Sequence, residues 1–312
     1  MTSPAASPPG AWRRLRRNPV AIVAIVILAT VLSFAVFGLQ IFHLDPHATS
    51  DAQYSPPSAA HPFGTDVNGR DSFARVLEGA RISLLVGFCG AFISLFVGTA
   101  YGLISGYTGG RTDALMMRFV EILYAIPRLI IIILVTFIFD RHFKTWLNTA
   151  GMTGLVGYSK IIILIFSLGL IEWLTMARIV RGQVLALKSQ QFVLAARALG
   201  QSHTNIIIRH LLPNLIGIVI IYLTLTIPAV ILDESFLSFL GLGVQAPQAS
   251  WGSLLSEGAQ VINPVKKLLV APAFPGARHV GDPARAELPR RRHPRRPRSA
   301  GETVASYSCP CS

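Results

Sequence analysis

Five long runs of apolar residues with few or no charges dominate the chain, and they constrain the fold more than any other feature. The first extends from Pro19 to Phe42 without a single Lys, Arg, Asp or Glu outside its ends. At 1.5 Å rise per residue, about 20 apolar residues cross a bilayer core, so this run spans with length to spare. Others cover Ile82 to Tyr107, about Val120 to Phe139, about Ile161 to Val180, and Leu215 to Leu232. A short apolar stretch, Ser235 to Leu242, is expected at the outer surface. Only 14% of the 312 residues are charged, against about a quarter in ordinary soluble domains. The expected fold is an all-α integral membrane protein. The Gly- and Ser-rich second run suits close helix packing in lipid, and Pro127-Arg128 and Pro228 interrupt the third and fifth.

The Arg13-Arg14 pair before the first run invites a twin-arginine signal reading, but the apolar core is too long and no small-x-small cleavage site precedes His43. An uncleaved first helix is expected. Arginines and lysines then set orientation. Arg13, Arg14, Arg16 and Arg17 lie before the first run, Arg111 and Arg118 after the second, and Arg178, Arg181, Lys188, Arg197 and Arg209 between the fourth and fifth. They outnumber Arg70, Arg75, Arg81, Arg141, Lys144 and Lys160 of the alternate loops. Positive-inside bias therefore predicts a cytoplasmic N-terminus and a cytoplasmic 178–210 loop.

That loop is the most informative segment. Residues 192–199 are good helix formers, and Gly200 is a natural helix end. Thr204 or Asn205 is expected to cap the next helix, and Pro213 to bend the entry into the membrane. A short helix lying across the ends of two spans suits docking into another protein's groove. Elsewhere, Glu172 is read as the acid well inside an apolar run, either lining a substrate path or hydrated at a helix end. Arg128 reads as an anchor that snorkels to the cytoplasmic interface. His61, Asp66 and Asp71 read as capping groups of a turn-rich loop rather than metal ligands, and Cys89 as a small packing residue. With three cysteines and no phosphate loop, HExxH or Ser/His/Asp arrangement, neither a disulfide framework, nor a metal site, nor catalysis is expected.

Gln191-Phe192-Val193-Leu194-Ala195-Ala196-Arg197-Ala198-Leu199-Gly200, with Leu212-Pro213 beyond, resembles the EAA loop of permease subunits of ABC importers. Leu194 stands where that loop usually has glutamate. His61-Pro62-Phe63-Gly64-Thr65-Asp66, Gly79-Ala80-Arg81-Ile82-Ser83-Leu84, Gly106-Tyr107-Thr108-Gly109-Gly110, Phe236-Leu237-Ser238-Phe239-Leu240-Gly241 and Ser250-Trp251-Gly252 resemble the dipeptide/oligopeptide/nickel permeases. Trp12-Arg13-Arg14 and Asn18-Pro19 are similar to the C-type subunit of the pair. The resemblance covers about residues 12 to 265. It implies a type I ABC importer transmembrane domain over 19–265 after a cytoplasmic segment 1–18, in a bacterial inner membrane. It also implies a homologous permease partner, two ATP-binding subunits that hold the ATP and Mg, and an extracytoplasmic substrate-binding protein, with no nucleic acid. Within the EAA-type loop (about 188–214), Ala195, Ala196 and Gly200 would dock the ATPases, beside Pro213. Arg197 and Arg209 would be charge contacts or plain positive-inside anchors. The rival reading is a proton-coupled secondary transporter, for which Glu172 alone is thin provision.

Residues 266–312 break the pattern. This Pro/Arg-rich tail, with Arg290-Arg291-Arg292-His293-Pro294-Arg295-Arg296, cannot build a packed core and reads as disordered. It supplies much of the formal charge of +13. The family ends instead in a sixth span and a segment like NFLGDGLRDALDP. Codons allowed for Glu287 to Ser299, read one base later, give NFLGDGIRDALD. The expectation is five spans, a sixth lost to a frame change between about Val265 and Ala273, and an out-of-frame tail.

Overall fold

The computed structural model describes residues 18–261. The expected tail, the frame change and most of the N-terminal segment lie outside them. Among the described residues the chain is nearly all helical; strand pairing is limited to one isolated bridge between Thr65 and Asp71.

Nine α-helices follow in order: α1 (Pro19–Ile41), α2 (Ser72–Thr108), α3 (Gly110–Ala125), α4 (Arg128–Thr149), α5 (Ser159–Leu187), α6 (Gln191–Ala198), α7 (His203–Ile206), α8 (Leu212–Phe239) and α9 (Trp251–Val261). A 3₁₀ segment, Thr153–Tyr158, leads into α5, and a π-helical turn, Ile207–Leu211, joins α7 to α8. Four helices are long and apolar enough to cross a membrane, five if the bent pair α3–α4 forms one span. Their starts follow from local chemistry. The Asn18 side chain accepts from Val20 N–H and Ala21 N–H with Pro19 at the first position, and Asp71 caps α2 through Phe73 N–H and Ala74 N–H.

α2 and α5 form the centre of the bundle. Their contact is built on Gly98, Gly102 and Gly106, four residues apart on α2, facing Met176, Ala177, Val180 and Val184 of α5. In lipid there is no hydrophobic drive between apolar helices, so such small residues let backbones approach and collect van der Waals contact. A Cβ built on Gly102 would stand 2.5 Å from the Ala177 carbonyl oxygen, which leaves no room for any side chain. α8 packs on the other side of α2, with Gly87 admitting Ile231. α1 touches the bundle mainly along α2, where Gly38 meets Leu77; most of its apolar surface is exposed, as a lipid-facing helix requires.

Four local expectations need correction. The third apolar run is two helices meeting at 87° across Ile126-Pro127, and α4 continues to Thr149. The pre-proline residue Ile126 is forced extended (φ −87°, ψ 131°), which ends α3. Arg141 and Lys144 consequently lie in α4, where Lys144 pairs with Asp140 at 2.7 Å, not in a loop. The fifth span runs on through Phe239, absorbing most of the stretch expected at the surface, with Pro228 inside it. The cap after Gly200 is Ser202, whose Oγ accepts from Asn205 N–H at 3.3 Å, not Thr204 or Asn205.

Candidate functional site

Two constellations stand out, one at the segment after α5 and one inside the bundle. In the first, α6 closes with the Gly200 N–H donating to Arg197 C=O at 2.9 Å and Gln201 N–H to Ala196 C=O at 3.1 Å, while Gly200 takes φ +73°. This is a Schellman end, and it turns the chain back within two residues. Val193 and Ala196 are buried and join a cluster with Leu103 and Tyr107 of α2, Val180 and Val184 of α5, and Leu215 of α8. α6 is thus seated by one face across three long helices. Its other face leaves Phe192, Leu194 and Leu199 exposed, Leu199 by 80%.

The seat is fixed by polar contacts. Tyr107 Oη lies 2.7 Å from His203 Nδ1, and the Arg197 guanidinium sits over the Tyr107 ring, 5.2 Å from its centroid. Lys188 Nζ donates to Gly106 C=O at 2.9 Å. Beside it, Arg181 donates from Nε and Nη2 to both oxygens of Asp113, each at 2.6 Å, and Ser105 Oγ donates to the same carboxylate at 2.5 Å. Asp113 also lies in the first turn of α3, where the helix dipole favours a negative charge. Of the residues singled out in the sequence, Ala196 is buried in the seat; Ala195, Arg197, Gly200, Arg209 and Pro213 are exposed. Arg197 and Arg209 make no ion pair among the described residues. Pro213 follows the π-helical turn Ile207–Leu211, so its missing N–H falls within a helix that runs on from His203 to Phe239.

The second constellation surrounds the break between α3 and α4. Arg128, at the start of α4, donates from Nη1 to Glu172 Oε1 at 3.1 Å and from Nη2 to Asp233 Oδ1 at 2.7 Å. The reading of Arg128 as a snorkelling anchor is therefore replaced by an ion triad that ties α4, α5 and α8 together. Glu172 sits midway along α5, which runs on past Arg178 and Arg181 to Leu187. Asp233 and the fully buried Glu234 were missed in the sequence because they follow Leu232, at the edge of the apolar run, and only the extension of α8 brings them inside. Glu234 is held by the hydroxyls of Ser83 (2.9 Å) and Ser238 (2.7 Å).

The end of the bundle opposite α6 is locked by charge. Arg75 forms a two-pronged pair with Glu257 of α9, Nη2 to Oε1 at 2.8 Å, and also donates to Asp66 at 2.8 Å. Asp66 orders its own turn through Asn68 N–H and Arg70 N–H, and His61 Nδ1 lies 2.8 Å from Asp71 Oδ2. These residues act as turn and cap groups, as expected. No cluster of metal-ligating residues occurs among those described.

Among the described residues the architecture is a bundle of apolar helices carrying one short helix seated against it. The sequence matches the family described as "Binding-protein-dependent transport system inner membrane component" over residues 98–277. It also matches the "N-terminal TM domain of oligopeptide transport permease C" over residues 10–57. It is 44% identical to the oligopeptide transport system permease protein OppC of Haemophilus influenzae, over 85% of this chain and 80% of that protein. It is 43% identical to the dipeptide transport system permease protein DppC of Bacillus subtilis, over 81% and 73%. For the Escherichia coli K12 oligopeptide permease protein OppC the identity is 40%, over 84% and 82%. The chain belongs to the family of binding-protein-dependent transport inner-membrane components, the permease subunits of ABC importers.

Proposed function

We propose that this chain is the C-type permease subunit of an ATP-driven importer of di- and oligopeptides, with its N-terminus and the 188–214 loop in the cytoplasm. It pairs with a homologous permease to enclose the pathway. Two ATP-binding subunits work beneath it, and a substrate-binding protein delivers cargo from outside. The observation that carries the coupling role is α6: one face is packed on α2, α5 and α8, and the other presents Phe192, Leu194 and Leu199 to the surroundings. Exposed apolar side chains on a firmly seated helix suit insertion into a partner's groove. Ala195, small and exposed, permits close approach of the partner; Ala196 holds the helix in its seat; Gly200 ends it; Pro213 starts the return span. Arg197 and Arg209 offer unpaired positive charge to acidic groups of the ATPase. Movement of the ATPases is passed to the spans through the buried cluster that Val193 and Ala196 share with α2, α5 and α8.

The peptide substrate is supported by the relatives, which are oligopeptide and dipeptide transport permeases. The test is uptake of a labelled di- or tripeptide into proteoliposomes holding the complete complex, with ATP inside. ATP-dependent accumulation supports the proposal, and accumulation of nickel but not peptide would reassign the substrate.

The tail belongs to the same proposal. The family match ends at residue 277, close to the frame change placed between Val265 and Ala273. Restoring the frame is expected to return a sixth span and the NFLGDGIRDALD segment. Mass spectrometry that finds the Arg290–Arg298 peptide in the mature protein, together with full transport by that same chain, would contradict the lost span.

A further inference from the structure

The Arg128–Glu172–Asp233 triad has one positive charge for two carboxylates. It lies where the helical backbone is broken, between an α3 that stops at Ala125 and an α4 that starts at Arg128. Two independent features say that this face of the bundle does not meet hydrocarbon. The Arg128 side chain is 53% exposed although it starts a span-forming helix. Ile126 and Pro127 are exposed too, and irregular backbone at membrane depth is tolerated only against protein or a water-filled cavity. A cavity of about 210 Å³ opens there; its wall is more apolar than polar, with Tyr124, Arg128, Glu172 and Thr175 as its polar side chains.

The charge balance then indicates what the face receives. Asp233 is 93% buried by relative area, and its Oδ2 has no hydrogen-bond partner; its Oδ1 is already used by Arg128. Glu172 likewise has one oxygen on Arg128. The next cation, Arg178, is engaged over the Tyr124 ring at 3.6 Å, and Tyr124 Oη is 2.5 Å from Thr175 Oγ1, so neither closes the deficit. An unbalanced carboxylate inside a membrane is costly unless a cation or proton joins it.

We infer that the Arg128–Glu172–Asp233 triad is a transit site for the ammonium group of the substrate, with Arg128 as the resident cation, Glu172 bordering the cavity and the buried Asp233 adding surplus negative charge. This rests on the peptide-importer reading. A peptide carries an ammonium at its amino terminus and, when basic, another on a side chain. The carboxylates would receive that group weakly, since Arg128 competes for the same oxygens, and weak binding is what passage demands.

The test uses the complete complex in proteoliposomes, with saturating binding protein, and compares a lysine-containing tripeptide with an alanine tripeptide of equal length. Comparing each variant with the wild type cancels the binding protein's own preference. Asp233→Asn and Glu172→Gln are each expected to slow uptake of both peptides, which share the amino-terminal ammonium, and to lower the basic-to-neutral uptake ratio by about fivefold or more. Because either variant could also disturb packing, Thr175→Cys in a background with Cys89, Cys309 and Cys311 all replaced by Ser supplies a second readout. It is expected to react with a charged, membrane-impermeant thiol reagent, and the basic peptide is expected to slow that reaction more than the neutral one. An unchanged uptake ratio in both carboxylate variants would overturn the inference, leaving a proton as the balancing charge. Unreactive Cys at position 175 would overturn it too. A wild-type complex that moves neither peptide contradicts the peptide reading itself, whatever the variants do.

Discussion

Gly102 shows how much one missing side chain decides. Its α-carbon faces Ala177 and Val180, and an added Cβ would stand 2.5 Å from a carbonyl oxygen and 2.8 Å from the Val180 Cβ. Gly102→Val is expected to force α2 and α5 apart, at about 1–3 kcal/mol or more as overpacking in a close-packed interior. A lowered melting temperature of the detergent-solubilised protein checks this, and an unchanged one contradicts the packing described. Asp113 makes a second residue-scale case. Both its oxygens are occupied by Arg181, with Ser105 as a third donor, so Asp113→Asn leaves a guanidinium without its charge partner. Hydrogen bonds to charged groups contribute about 1.5–3 kcal/mol. The loss should be strongly non-additive with that of Arg181→Met in a double-mutant cycle read by thermal unfolding. Simple additivity would mean that the pair contributes nothing through its contact.

At the scale of elements, the sequence was readable wherever one physical signal acted alone. Length and apolarity locate α1, α5 and the inner part of α2, because nothing but a lipid-spanning helix satisfies the backbone there. Gly200 locates the end of α6, because the Schellman turn needs the positive φ that glycine reaches freely. The readings failed where two signals competed. Pro127 suggested an interruption, but the angle of 87° depends on how α3 packs, which composition does not carry. Ser202, Thr204 and Asn205 are all capping residues, and only the turn geometry after Gly200 selects Ser202. The Arg128–Glu172–Asp233 triad joins residues far apart in the chain, so no local pattern reveals it. α6 yields the element-scale prediction. Phe192→Ser and Leu199→Ser alter exposed side chains, so thermal stability should change little, within about 0.5 kcal/mol. Transport coupled to ATP hydrolysis should nevertheless fall by an order of magnitude. Unimpaired coupling in the double variant would remove α6 from the role proposed for it, whereas a Val193→Ser variant should lose stability as well, since Val193 is fully buried.

At the scale of the whole molecule, the described residues divide into three zones with distinct work. One end, with α9, Arg75, Glu257 and Asp66, is tied by ion pairs into a firm cap. The middle holds the glycine seam and, beside it, the Arg128–Glu172–Asp233 triad. The other end carries α6, seated on three long helices and ready for a partner. In the proposed mechanism a movement applied at α6 is carried to α2, α5 and α8 through their shared cluster, and the triad joins α5 and α8 to α4. Coupling by rigid elements of this kind is the physical content of alternating access, in which a ligand biases two packings of one bundle. The central claim is that ATP, used by partner subunits, drives cargo through a pathway this chain half encloses. Its most direct test is peptide accumulation in proteoliposomes containing the full complex, with the nucleotide and the proton gradient varied separately. Accumulation that requires internal ATP and survives collapse of the proton gradient is the expected result. Accumulation that follows the proton gradient without ATP would contradict the account.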